Sequence, residues 1–181
     1  MRIIKDKTVV AVVDFQERLV PAMREGASAV SAAAKLIEGA KAIGCPILIT
    51  QQYTKGLGDS VSEIKEAFSP FSHIEKSAFS AMGEPDFVKA LADTGKKTVV
   101  LCGIEAHVCI LQTALDLLAA DYDVFLVVDA ISSRKESDEK TGIERMIKSG
   151  VFPTTVESVL FELLENDSKS ETFKTISRLV K

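Results

Sequence analysis

The stretch Thr98-Val99-Val100-Leu101-Cys102-Gly103-Ile104-Glu105-Ala106-His107-Val108-Cys109 passes from an unbroken apolar run into a segment of helical spacing. A run such as residues 98–102, apolar without alternation, predicts a strand buried on both faces, as in a parallel sheet. Residues 106–120 read as the helix that follows, and Val124-Phe125-Leu126-Val127-Val128 as the next strand. Strand, helix and strand in this order predict a parallel pair joined by a right-handed crossover. Open sheets of this kind bind ligands beyond the carboxyl ends of their strands, where the winding direction reverses. Residues 103–109 are therefore where chemistry is expected.

The same alternation extends outward in both directions. Toward the N-terminus, Thr8-Val9-Val10-Ala11-Val12-Val13 is a second buried strand, and residues 28–43 form a helix ended by Gly44. A strand at 46–50 follows, then a glycine-containing loop at 53–60 and a short polar helix reaching Phe68. Residues 72–75 are expected as a strand from position more than composition, and 84–93 as a helix with Pro85 in its first turn. Toward the C-terminus come a charged helix at 137–148, a short strand at 153–156 and two closing helices, the last capped by Asp167 or Ser168. The pattern predicts one doubly wound α/β domain over residues 1–181, a mostly parallel sheet of about six strands with helices on both faces.

Composition narrows the function classes. Hydrophobic residues make up 46% and charged residues 27%, enough for a sizeable core under a solvated surface. A net charge of −4 leaves no basic footprint for nucleic acid. No apolar run approaches the roughly 20 residues that span a bilayer, and Met1-Arg2-Ile3-Ile4-Lys5-Asp6 has no signal-peptide pattern, so a cytoplasmic protein without membrane partners is expected. Cys45, Cys102 and Cys109 lack paired spacing and predict neither a disulfide framework nor a zinc ribbon.

An acid, a base and a thiol stand at three expected strand ends: Asp14, Lys76 and Cys109. Cys109 falls in the first turn of a helix, where unpaired N–H groups and the dipole favour a thiolate and can hold an oxyanion. Each residue also has a plain reading. A free cysteine is commonly a small buried hydrophobe, a post-strand aspartate a turn residue, and a lysine a solvated surface group. Cys102 and Cys45 are read as structural. His107 lies two residues before Cys109, a spacing that puts the side chains on different helix faces, and His73 is isolated. Neither histidine supports a zinc site, and no metal or other cofactor is expected.

Together these blocks resemble the isochorismatase-like cysteine hydrolase superfamily, from Val9 to about Thr155. The most specific stretch is residues 103–109 continuing into Gln112-Thr113-Ala114. Val13-Asp14-Phe15-Gln16, Glu75-Lys76-Ser77-Ala78-Phe79-Ser80 and Val128-Asp129-Ala130 support it, and the loop from Gln51 to Gly58 is similar to that of the isochorismatase-domain-containing subgroup. The resemblance implies a nucleophile at Cys109, an acid/base at Asp14 and a lysine at Lys76, acting on a small amide-like C–N substrate through an acyl-enzyme. It also implies a homo-oligomer, and a cis peptide between Ile104 and Glu105. Nicotinamidases of the family carry a metal-binding Asp-x-His pattern after the second strand. Here Gln51 and Gln52 stand in that region, which implies neither a metal nor nicotinamidase activity.

Phe15, Gln16, Tyr53, Phe79, Ile104 and Glu105 are the expected substrate contacts, with Phe15, Tyr53 and Phe79 as aromatic walls. A surplus of apolar residues on the helix after Cys109 (Val108, Ile110, Leu111, Ala114, Leu115, Leu117, Leu118) supports self-association, although the chain's own helices could also cover them. Two other readings compete: a non-enzymatic oligomeric binding module, and a thiol redox sensor, for which no resolving cysteine lies near Cys109. A dinucleotide enzyme is disfavoured, because Asp14-Phe15-Gln16-Glu17-Arg18 lacks the glycine fingerprint.

Overall fold

The six residues Thr8–Val13 are all buried, as a parallel strand covered on both faces requires. They form β1 of a computed structural model that describes residues 1–165 and 170–181. Val10 and Val12 enter one core layer, while Val9, Ala11 and Val13 enter the other. Each such valine contributes about 1.5–3 kcal/mol of burial. The remaining strands are β2 (Ile47–Gln52), β3 (Ile74–Lys76), β4 (Thr98–Ile104), β5 (Asp123–Ser132) and β6 (Phe152–Thr154). They lie in the order β3-β2-β1-β4-β5-β6, and every pairing is parallel.

On one face pack α1 (Gly26–Ile43), α3 (Ser62–Ala67), α7 (Val156–Leu164) and α8 (Glu171–Leu179), with a one-turn α2 (Thr54–Leu57) in the loop after β2. On the other face lie α4 (Pro85–Asp93), α5 (Leu111–Ala119) and α6 (Glu136–Lys148). This is the expected three-layer α/β/α architecture. Gly44 ends α1 in the left-handed conformation at φ 82°, with Gly44 N–H on the Lys41 carbonyl at 3.0 Å and Cys45 N–H on Ala40 at 2.8 Å. The chain reverses its winding between β1 and β4, so Asp14 and residues 105–109 flank the switch point. Gly103 makes that approach possible: at φ 138°, a Cβ here would stand 2.2 Å from the Val13 carbonyl oxygen.

Several boundaries differ from the sequence reading. β5 continues through Asp129 to Ser132 beyond a register shift opposite Cys102, and Asp129 turns its carboxylate onto Val156 N–H at 3.0 Å, at the start of α7. Val156 accordingly begins a helix and does not end a strand. Lys76 is the last residue of β3 and not the residue after it. The loop at 53–60 holds the turn of α2. The expected cap at Asp167 or Ser168 lies outside the described residues; α8 is capped by Ser170, whose hydroxyl accepts from Phe173 N–H at 3.0 Å. The surplus apolar residues of α5 are largely absorbed within the chain: Ile110, Leu111, Ala114 and Leu117 are buried, and Val108, Leu115 and Leu118 are half-buried against the same core.

Candidate active site

Side chains alternate along a strand, so Thr50 and Gln52 of β2 share a face, and Gln52 stands in register with Lys76 of β3. Asp14 leaves β1 with φ 60°, a left-handed conformation that aspartate tolerates better than most residues. Cys109 lies in a wide, π-helical first turn, Ala106–Ile110, that leads into α5. The three sequence-predicted catalytic residues therefore meet above the α4–α6 side of the sheet. Lys76 Nζ is 2.7 Å from Asp14 Oδ2, both side chains being 0% exposed, and 3.7 Å from Cys109 Sγ.

Lys76 is held in place by its surroundings. Its ammonium donates to Gln52 Oε1 at 2.5 Å, Ala78 O at 3.0 Å and Phe79 O at 2.9 Å. Three oxygen acceptors match its three N–H bonds. Asp14 Oδ2 thus touches the cation at ion-pair distance without receiving a well-aligned hydrogen bond among the described residues, and keeps a lone pair for another proton. The other carboxylate oxygen accepts from Thr50 Oγ1 at 2.7 Å.

Burial raises the Asp14 pKa above the usual carboxylate range, while Lys76, Thr50 and Cys109 pull it back. Burial also pushes the Cys109 thiol up to about 12, with the Asp14 charge adding to that and Lys76 opposing it. Burial and the Asp14 charge thus oppose the thiolate that a helix start favours. A thiol beside a buried carboxylate of raised pKa is an arrangement suited to general-base activation.

The expected substrate contacts divide. Tyr53 and Phe79 are each 56% exposed at the surface above the site. A depression of about 360 Å³, lined by Tyr53, Glu75, Lys76, Ser77 and Glu84, opens beside them. Ile104 is buried at the end of β4, and its peptide with Glu105 is cis. The Glu105 carboxylate is taken by Arg134 in a two-pronged ion pair at 2.9 and 3.0 Å. Phe15 packs into the core on the α1 side, opposite the face that carries Asp14, Lys76 and Cys109. Gln16 is fully buried and spends its amide on the chain itself: Nε2 donates to Gln52 O and Gly58 O, and Oε1 accepts from Gln52 N–H. It braces Gln52, which in turn holds Lys76.

Thr50, Gln52 and Glu84 are the residues that sequence reasoning passed over. The signal for Gln52 was its place two residues after Thr50 at the end of a strand, but its register with Lys76 follows only from the pairing of β2 with β3. His107 bonds Ser133 Oγ at 2.9 Å, away from Cys109. His73 stacks on Phe71. Cys102 is fully buried, and Cys45 donates to Thr8 O at 3.2 Å, as structural cysteines would. Among the described residues, no three His, Cys, Asp or Glu side chains are grouped to hold a metal ion.

The isochorismatase domain model matches residues 8–158. An isochorismatase domain-containing protein 1 from Salmo salar is 39% identical over 175 residues, 96% of this chain and 61% of that protein, so the chain spans about three-fifths of this relative's length. Among solved structures, one described as MAR1 ribonuclease from Caenorhabditis elegans superposes with a TM-score of 0.91 at 34% identity, covering 99% of this chain and 92% of that one. The YcaC gene product of Escherichia coli, described as an octameric hydrolase of unknown specificity, also gives 0.91, at 28% identity over 99% of this chain and 89% of that one. On the strength of the domain match and these relatives, the chain belongs to the isochorismatase family.

Proposed function

We propose that the protein is a hydrolase of small amide-like substrates, with Cys109 as nucleophile, Asp14 as acid and base, and Lys76 as a fixed positive charge. The observation that carries this reading is the convergence of the three side chains from separate elements, Lys76 Nζ lying 2.7 Å from Asp14 Oδ2 and 3.7 Å from Cys109 Sγ. In the first step Sγ bonds to the substrate carbonyl carbon while the thiol proton moves to Asp14 Oδ2, and the carbonyl electron pair shifts to oxygen. Backbone N–H groups at the start of the helical turn are placed to receive that oxyanion. When the intermediate collapses, the C–N bond breaks and the proton on Asp14 goes to the leaving nitrogen. Water then attacks the thioester, gives its proton to Asp14, and the C–S bond breaks as that proton returns to sulfur. Lys76 remains an ammonium throughout and favours ionised Asp14 and the sulfur anion.

Tyr53 and Phe79 bound the substrate's approach in this reading, with Ile104 and Glu105 contributing backbone. No cofactor is needed. A homo-oligomer belongs to the same proposal, supported by the octameric relative from E. coli and by the exposure of Tyr53 and Phe79. So does a cytoplasmic setting; among the described residues, no helix is long and apolar enough to cross a membrane. The ribonuclease name of the nematode relative is not extended to this chain, whose net charge is −4.

The test is a screen of small amides, ureides and carbamates with EDTA present, comparing wild type with Cys109→Ala. Wild type is expected to release amine or ammonia and to carry an acyl adduct on the Cys109 peptide after denaturing quench. Turnover by Cys109→Ala at the wild-type rate, or turnover only when a divalent metal is restored, would overturn the mechanism.

A further inference from the structure

Glu84 occupies the N-cap position of α4, yet its side chain makes no capping bond to that helix. It turns back to the loop after β3, where Oε1 accepts from Ser77 N–H at 2.6 Å, Ala78 N–H at 2.8 Å and Ser77 Oγ at 3.2 Å. These bonds fix the peptide plane between Ser77 and Ala78. The opposite edge of that plane is the Ser77 carbonyl, which accepts from Gln52 Nε2 at 2.9 Å. Gln52 Oε1 is one of the three acceptors on Lys76, and the other two, Ala78 O and Phe79 O, belong to the next two residues of the same loop. All three acceptors that seat the ammonium therefore depend on backbone that Glu84 pins.

We propose that Glu84 is a positioning residue for the reaction read above, locking from outside the site the loop that seats Lys76 beside Asp14 and Cys109. The role rests on the proposed hydrolase chemistry. It is more than a staple for an exposed turn, because the pinned peptide holds Gln52 and leads directly into the two carbonyls that accept from the lysine. With the carboxylate gone, the loop can relax, the ammonium loses its fixed place, and its pull on the Cys109 sulfur weakens.

The experiment needs no substrate. The rate of Cys109 alkylation by iodoacetamide is measured by peptide mass analysis from about pH 7 to about pH 10 in wild type, Glu84→Ala, Glu84→Gln and Lys76→Met, with thermal melting recorded for each. Toward the alkaline end of this range, where Asp14 is ionised with or without its partner, Glu84→Ala is expected to slow alkylation about fivefold or more, in the same direction as Lys76→Met, because a one-unit rise in the thiol's pKa lowers the thiolate fraction tenfold. Glu84→Gln is expected to stay within about twofold of wild type, since an amide oxygen can accept the same two N–H bonds. A lower melting temperature in Glu84→Ala with an unchanged or faster alkylation profile would reduce Glu84 to a loop staple and overturn the proposal. Unchanged alkylation in Lys76→Met would remove the hydrolase reading itself, and the role of Glu84 with it. Slowing in Lys76→Met alone would remove only the role of Glu84.

Discussion

Replacing Lys76 with Met deletes the cation in contact with a carboxylate whose side chain is 0% exposed. Asp14 must then remain charged without its partner or take up a proton. Staying charged forfeits about 6 kcal/mol of attraction at 2.7 Å with an effective dielectric constant of about 20. Protonation limits the loss: holding a carboxyl of ordinary pKa 3.8 neutral at pH 7 spans about 3.2 units at about 1.4 kcal/mol each, or about 4 kcal/mol. The smaller figure wins, so Asp14 becomes neutral. An acid whose folded pKa is raised contributes stability that is fully present below its unfolded value and lost as pH rises through the folded one. Lys76→Met lifts the Asp14 pKa beyond its already raised position, so its deficit against wild type should widen only as pH rises above the wild-type Asp14 pKa, where the variant alone goes on losing stability, by at most about 1.4 kcal/mol per unit. A further loss that does not vary with pH comes from the unpaired acceptors Gln52 Oε1, Ala78 O and Phe79 O. Urea unfolding of wild type, Lys76→Met and Lys76→Met with Asp14→Asn, at about pH 4.5, 5.5 and 7, separates these contributions. The slope should appear in the single variant and vanish in the double. A deficit constant with pH, or a slope that survives Asp14→Asn, would refute the reasoning.

Limited iodoacetamide treatment of wild type should modify Cys109, whose sulfur lies 3.7 Å from the Lys76 ammonium, ahead of Cys45, whose thiol is spent on the Thr8 carbonyl, and ahead of the fully buried Cys102. With its own thiol at about 12, Cys109 should react at a rate still climbing above pH 9, and a plateau near an ordinary thiol value would contradict the electrostatics of the site. Light scattering at micromolar concentration is expected to give a multiple of the chain mass, and a monomer mass would remove self-association from the proposal.

The buried strands announce themselves in sequence because a strand covered on both faces has no alternation to hide in, as residues 8–13 and 98–102 show. The convergence of Asp14, Lys76 and Cys109 was legible for a topological reason: doubly wound sheets gather their strand ends at one edge. The bracing was less visible. Gln16 reads as a substrate contact until Gln52 and Gly58 are seen to use its amide. Glu84 reads as the first residue of a helix until its carboxylate is found on the preceding loop. The ends of β5 and the start of α7 were misjudged together, because one side chain, Asp129, links them across 27 residues. Propensity is local, and each of these outcomes was decided by a partner distant in sequence. At Cys109 two influences compete: a helix start favours the thiolate, while desolvation in the finished site pushes the thiol up.

The full complement of acceptors around Lys76 also bears on how such an enzyme would survive its own intermediate. A thioester on Cys109 would sit close to a primary amine, since Lys76 Nζ and Cys109 Sγ are 3.7 Å apart. A free amine at that range is a ready trap: sulfur-to-nitrogen acyl transfer would leave a stable amide on the lysine and a dead catalyst. Transfer requires a nitrogen lone pair, and the ammonium has none while Gln52, Ala78 and Phe79 each hold one of its hydrogens and Asp14 supplies the counter-charge. The cradle that steadies the charge therefore also serves as insulation, leaving water as the nucleophile able to discharge the enzyme.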